Sequence, residues 1–210
     1  MTTQSVVNQH GDIARSAIPF ERFAGLCAII AGVGSLLYSI SFILLRNASL
    51  SAFFLLLGGF LSLTVFVAVS QRFLQTHAAF ARWAFLLGII GALGALIHGG
   101  YDLANALQPP ALSAAQASLP DAIDPRGLLV FGIAGLGLFF IAWLIGQDRF
   151  FPRPLSYLGY IMAVLLVGLY LGRLIILDPT HPLIVIPALL NGFILNPIWY
   201  VWLGVSLLRG

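Results

Sequence analysis

The chain has 210 residues, of which 60% are hydrophobic and only 8% are charged, and its mean hydropathy is +1.01. Soluble domains carry roughly 25% charged residues, so this composition excludes a water-soluble globular protein. The net charge of +3 is spread over the connections between apolar segments and forms no basic patch that would bind nucleic acid. The single cysteine, Cys27, excludes a disulfide within the chain and a multi-cysteine metal or iron–sulfur site.

A polar N-terminal tail, residues 1–22, precedes six long apolar segments. We expect transmembrane spans at residues 23–45, 52–70, 83–107, 127–146, 155–177 and 183–208. Each is close to or above the ~20 residues that cross a hydrocarbon core of about 30 Å. The segments do not alternate polar and apolar residues, which favours helices over barrel strands. The sequence therefore predicts an all-α, polytopic membrane protein that forms one six-transmembrane-helix bundle. The first segment is too long for a signal-peptide core and lacks a cleavage pattern, so we expect it to be retained.

The arginines predict the orientation of this bundle. All ten strongly basic residues are arginines, and most of them lie before the first span, after the second and fourth spans, and at the C terminus. The opposite connections hold only Arg46 and Arg126. Because short cytoplasmic loops are enriched in Lys and Arg, we expect both termini to be cytoplasmic, in a bacterial inner (plasma) membrane. The tryptophans are predicted to lie at the inner ends of their helices, as an interfacial belt: Trp83, Trp143, Trp199 and Trp202.

The spans also group into three hairpins, residues 23–73, 83–150 and 155–209, which have small residues, aromatics and an arginine in similar order. This order indicates either a threefold hairpin repeat or the ordinary features of a polytopic protein. Small residues at Gly91, Ala95 and Gly99, and at Gly168 and Gly172, predict close helix packing. That packing could lie within the chain or in a homo-oligomer or larger membrane complex.

Polar residues are concentrated near the predicted outer ends of the spans. His98, Asp102 and Asn105 are spaced i, i+4 and i+7, so they share one face of the third helix. Ionisable groups in a membrane are costly and usually face a cavity or a partner. We predict an outward-facing polar pocket between the third, fifth and sixth helices. Its candidate ligand-binding residues are His98, Tyr101, Asp102, Asn105, Tyr170, Arg173 and Asn191.

Simpler explanations exist for each polar residue. Asp102 could lie in the headgroup layer, His98 could form a helix-to-helix hydrogen bond, and Arg173 could reach lipid phosphates or neutralise an aspartate. Pro197 cannot donate a backbone hydrogen bond and therefore predicts a kink in the sixth helix. The outer loop from Gln108 to Pro125 is long enough to be a lid or a solvated connector.

Three functions are compatible with these features. The first is a bundle that binds a small apolar or lipid-like ligand, or a membrane partner, in the outer pocket. The second is a metal-dependent membrane hydrolase in which His98, Asp102, Asp178 and His181 bind zinc and activate water. The third is an ion or proton conduit in which Asn191 and Asn196 continue the polar path inward. No hydrolase, metalloprotease, phosphate-binding or dinucleotide-binding motif occurs in a supporting context, so an enzyme is the less favoured class.

Overall fold

The computed structural model describes residues 3–107 and 124–209, with side chains from Phe20 onward. Within these residues there is no strand, and six helices are long and apolar enough to cross a membrane. These spans, numbered in chain order, are Phe20–Leu44, Ala48–Phe73, Ala78–Leu107, Pro125–Gln147, Arg153–Ile175 and Pro182–Leu208. The prediction of an all-helical protein with six spans is confirmed.

Three spans are regular α-helices and three contain a π-helical turn. The second, third and fifth spans are regular throughout. The first helix, Thr3–Ser39, begins within the predicted tail and continues into a π turn at Ile40–Leu44. The fourth span begins with a 3₁₀ turn at Pro125–Gly127 and a π turn at Leu128–Ile133, followed by an α-helix at Ala134–Gln147. The sixth consists of helices Pro182–Leu190 and Asn196–Leu208, joined by a π turn at Asn191–Leu195.

Consecutive spans run antiparallel, so the bundle has two different ends. We name the end with residue 209 and the connections 74–77 and 148–152 the terminal face. The opposite end, with the connections 45–47 and 176–181, is the distal face. Asn47 explains why the second span begins earlier than predicted, because its side chain accepts a hydrogen bond from the backbone N–H of Leu50 and caps the helix. The predicted lid at residues 108–125 lies outside the described residues, except for Asp124 and Pro125.

The six spans form a closed ring. Each span packs against its neighbours in the chain, and the first span packs against the sixth. Glycines allow this close approach: a methyl group at Gly99 would lie 2.5 Å from the backbone nitrogen of Leu56, and one at Gly91 would lie 2.6 Å from the Cβ of Ala134. The small residues of the third span therefore pack within the chain. Gly168 on the fifth span has no described atom within 4 Å of such a methyl group.

Large apolar side chains fill the ring in its terminal half. Val65, Leu144, Leu203 and Trp199 are fully buried there. The prediction of an interfacial position for Trp199 is wrong, because its indole lies in this core and donates a hydrogen bond to the carbonyl of Leu155 at 3.2 Å. Trp83 and Trp202, in contrast, are exposed on the outside of the ring.

Arg72 holds several segments together at the terminal face. Its Nε donates to Asp148 at 2.9 Å, and its Nη1 lies 3.6 Å from the carboxylate of Glu21. The guanidinium also stacks on the ring of Phe150, 3.6 Å from the ring centroid. The first and second spans and the connection after the fourth are thereby tied together.

Candidate functional site

The distal half of the ring encloses a cavity of about 1010 Å³. All six spans contribute to its wall, and its mouth lies at the distal face, beside Arg46, Asn105 and Pro179. The wall below the mouth is mainly apolar and includes Phe66, Ala92, Ala95, Leu138, Met162, Leu166 and Ala188. A hydrogen bond of 2.9 Å between Ser62 and Tyr200, which both line the cavity, crosses the ring. A volume of this size is typical of small-molecule sites.

Irregular backbone is concentrated around this cavity. Phe42, Phe131 and Asn191 line it, and each belongs to one of the three π turns. The π turn of the sixth span ends two residues before Pro197, the residue from which a kink in this span is predicted. In membrane helices irregular backbone is tolerated where it lines a cavity, and π turns occur frequently at functional sites.

Backbone strain also lies at the distal face. Among the described residues, positive φ occurs outside glycine only at Arg46, Arg126 and Leu177, with values of 49°, 58° and 58°. Arg46 and Leu177 each follow a span at the distal end, and Arg126 is in the first turn of the fourth span. Left-handed conformations of non-glycine residues are costly and often mark functional sites, so this strain is consistent with a functional distal face.

Two carboxylates at the mouth already have partners. His98 Nε2 lies 3.4 Å from an oxygen of Asp102, as the shared helix face predicts. Asp124 is only 3% exposed, and its two oxygens accept the N–H groups of Leu129 at 2.6 Å and Val130 at 3.3 Å. Asp124 thus caps the start of the fourth span, where helix N–H groups favour a negative charge.

Two arginines at the mouth have no such partner. Arg46 and Arg173 line the cavity, and no described carboxylate lies within 4 Å of either guanidinium. The guanidinium of Arg173 lies over the ring of Phe131, 5.4 Å from its centroid. Because the nearby aspartates are paired with His98 and with backbone N–H groups, these arginines remain available to an anion. Guanidinium groups bind carboxylates and phosphates with two parallel hydrogen bonds.

Asn191 is the predicted ligand-binding residue on the sixth span. It lines the cavity at the π turn of the sixth span and is 6% exposed. Neither its amide nitrogen nor its amide oxygen has a hydrogen-bond partner among the described residues. Asn196 lines the same wall.

Five of the seven predicted ligand-binding residues line the cavity: His98, Asp102, Asn105, Arg173 and Asn191. Tyr101 and Tyr170 do not, although the ring of Tyr170 packs beside Gly132 on the fourth span. Three residues that line the cavity were not among the predicted ligand-binding residues: Tyr38 on the first span, Arg46 in the connection after it, and Asp124 just before the fourth span. The contribution of the first span depends on closure of the ring between the first and sixth spans, which no local pattern reveals.

The four residues predicted to bind zinc are not brought together. His98 and Asp102 line the cavity, whereas Asp178 and His181 do not. Asp178 accepts hydrogen bonds from the hydroxyl and backbone N–H of Thr180, at 2.7 and 2.9 Å, and these bonds lower the pKa of its carboxyl. His181 Nδ1 accepts the N–H of Leu183 at 3.2 Å. Both side chains thus cap their own turn, and the described part of the chain holds no group of three His, Cys, Asp or Glu residues that could bind a metal.

A conduit would need polar groups to continue from the cavity to the terminal face. Below Tyr200 the interior is instead filled by the apolar core around Trp199, Leu203 and Leu144. Within the described residues the geometry therefore favours a cavity with one mouth over a continuous path.

The fold and cavity define a class: a multi-pass membrane protein whose helical ring surrounds a distal cavity. No protein-family model, no curated protein and no solved structure matches this chain. The functional assignment consequently depends on the chemistry of the cavity itself.

Proposed function

We propose that this protein binds an amphipathic, lipid-like molecule with an anionic head group in the distal cavity. The observation that carries this proposal is a mainly apolar cavity of about 1010 Å³ with two arginines at its mouth, Arg46 and Arg173, that form no salt bridge with any carboxylate among the described residues. When the ligand binds, its apolar chain moves from water or the lipid interface into the cavity, which is favourable. Its head group accepts charge-assisted hydrogen bonds from the two arginines.

We further propose that the distal face is the outer side of a bacterial inner membrane and that both termini are cytoplasmic. The arginines support this orientation, since Arg72, Arg82, Arg149, Arg153 and Arg209 all lie near the terminal face. The cavity mouth then opens to the outer leaflet or the space beyond it.

Binding of radiolabelled dodecyl phosphate to the protein in nanodiscs of zwitterionic lipid tests the proposed function. This probe has an anionic head, an apolar chain and no other polar group. We expect saturable binding that Arg173→Gln weakens about tenfold, because a hydrogen bond to a charged group contributes about 1.5–3 kcal/mol.

Arg153→Gln is the matched control, because it removes the same charge from the other end of the same helix. It should leave the affinity unchanged. Absence of saturable binding to the wild type, or equal losses in the two variants, would contradict the proposal.

A further inference from the structure

The first and sixth spans pack closely in the terminal half of the ring. A methyl group at Gly32 on the first span would lie 2.9 Å from the carbonyl oxygen of Pro197 on the sixth. Nearer the distal face, a methyl group at Gly192 would meet the hydroxyl of Ser39. The two helices are therefore in direct contact up to the level of Ser39 and Gly192.

Beyond Gly192 the sixth span leans on the fifth span instead of the first. Its distal helix, Pro182–Leu190, packs against the fifth span, where a methyl group at Gly172 would lie 3.4 Å from the side chain of Ile184. Within the described residues this helix has no comparable contact with the first span. A lateral opening is thus left between residues 39–44 of the first span and residues 182–190 of the sixth.

The side chains beside this opening are exposed although they line the cavity. Phe42 and Ile43 follow Ser39 by three and four positions, so they continue its helix face toward the distal end. Phe42 is 59% exposed and Ile43 is 37% exposed. No other large apolar side chain that lines the cavity is exposed in the part of the chain that the structure describes. The ring of Phe42 stacks on Tyr38 of its own span, with centroids 5.7 Å apart. The cavity wall is therefore incomplete at this position.

The depth and the charge of the opening fit a membrane lipid. At a rise of 1.5 Å per residue, Gly192 lies about 15 Å from the start of its span at Pro182, and Ser39 lies about 8 Å from the end of its span at Leu44. Both depths fall within one leaflet, which is half of a hydrocarbon core of about 30 Å. Arg46 follows the same span at the cavity mouth. A lipid beside the opening would have its chains at the opening and its head group near Arg46.

We propose that the lateral opening is a portal through which a lipid of the distal leaflet inserts its chain into the cavity. The inference rests on the proposed function and names the surrounding leaflet as the source of the ligand. The apolar chain passes directly from the bilayer into the cavity, so it is not exposed to water during transfer, which would be unfavourable.

Nitroxide labels on single cysteines in a Cys27→Ser background test the portal in nanodiscs. Ile43→Cys lies in the opening. Leu174→Cys is the control, because Leu174 is 48% exposed, does not line the cavity and also lies one residue from the distal end of its span. Electron paramagnetic resonance measures how often each label collides with oxygen, which concentrates in the bilayer, and with a water-soluble nickel chelate.

Both labels should be accessible to oxygen and shielded from the nickel chelate. Saturating dodecyl phosphate should lower the oxygen accessibility of the label at Ile43→Cys about twofold, because the bound chain then contacts the label, and should leave the label at Leu174→Cys unchanged.

Three results would overturn the inference while leaving the proposed function intact. Free access of the nickel chelate to the label at Ile43→Cys would make the opening part of an aqueous mouth. Low oxygen accessibility of this label before ligand is added would mean that a second copy or another part of the chain covers the opening. Unchanged oxygen accessibility in a protein that binds dodecyl phosphate would place the chain elsewhere. Failure of dodecyl phosphate to bind the wild type would instead reject the proposed function.

Discussion

The charged residues of this protein have different roles at the two ends of the bundle. At the terminal face Arg72 contacts Glu21 and Asp148, and these contacts hold segments together. At the distal face Asp102 and Asp124 are paired, whereas Arg46 and Arg173 have no carboxylate partner in the part of the chain that the structure describes. The first arrangement serves stability, and the second leaves positive charge available at the cavity mouth.

Asp148 makes the stability of the terminal face dependent on pH. Burial alone raises the pKa of its carboxyl, but hydrogen bonds from the N–H of Phe150 and from Arg72 outweigh it, so the pKa lies below the ordinary value of 3.8. A group whose pKa is lower in the folded state stabilises the fold above its ordinary pKa. This stabilisation is lost as the pH falls through the folded-state pKa.

We therefore expect the thermal midpoint of the wild type in detergent to fall as the pH is lowered below about 4, because protonation of this carboxyl removes its ion pair with Arg72. Asp148→Asn should have a lower midpoint at pH 7 and a smaller pH-dependent fall. Parallel pH profiles of the two proteins would show that this carboxyl does not contribute.

Residue spacing predicted the contacts of the site that lie within one helix, but it could not predict the contacts between spans. The i, i+4 spacing places His98 beside Asp102, because this contact depends only on helix geometry. The missing partners of Asn191 depend on side chains from other spans that surround it. The four residues of the zinc hypothesis do not come together for a related reason. Asp178 and His181 form hydrogen bonds within their own turn, and the sequence alone does not indicate in which direction a connecting turn points.

Among the structural elements, the helices were easier to predict than their irregularities. Long apolar segments determine the number of spans, because a helix must satisfy its own backbone hydrogen bonds in lipid. Pro197 marked the irregular sixth span, but no comparable residue marks the π turn at Ile40–Leu44 in the first. Ser41 alone is buried in that turn, and Phe42 and Leu44 are exposed.

Gly99 allows the second and third spans to pack closely. Gly99→Leu should destabilise the protein by about 3 kcal/mol, because its side chain would meet the backbone of Leu56 and force the second and third spans apart. Gly168→Leu places the same side chain in open space and should have little effect. Thermal midpoints and size-exclusion profiles of the two variants measure this difference. Equal destabilisation would indicate that Gly99 does not mediate close packing.

The whole molecule is a ring that is filled at the terminal face and open at the distal face. Composition predicted the class of protein and the number of spans. Closure of the ring between the first and sixth spans was not predictable, because it joins residues at opposite ends of the chain. The threefold hairpin repeat stays a prediction.

The proposed orientation can be measured with single cysteines in a Cys27→Ser background. Thr180→Cys lies in an exposed distal connection, and Thr76→Cys lies in an exposed terminal connection. In spheroplasts of an expressing bacterium, a membrane-impermeant maleimide should label Thr180→Cys directly and Thr76→Cys only after permeabilisation. The reverse pattern would place the cavity mouth on the cytoplasmic side.

The central claim is that the distal cavity holds an apolar chain, and filling the cavity tests it most directly. Ala95 lines the cavity, whereas Ile97, two residues further along the third span, is 44% exposed on the outside of the ring. The measurement is the affinity of both tryptophan variants for dodecyl phosphate in nanodiscs. Ala95→Trp should lose at least about tenfold in affinity, because its indole occupies the volume that the chain needs, and Ile97→Trp should bind as the wild type does. Unchanged binding in a folded Ala95→Trp variant would contradict the claim that the ligand lies in this cavity.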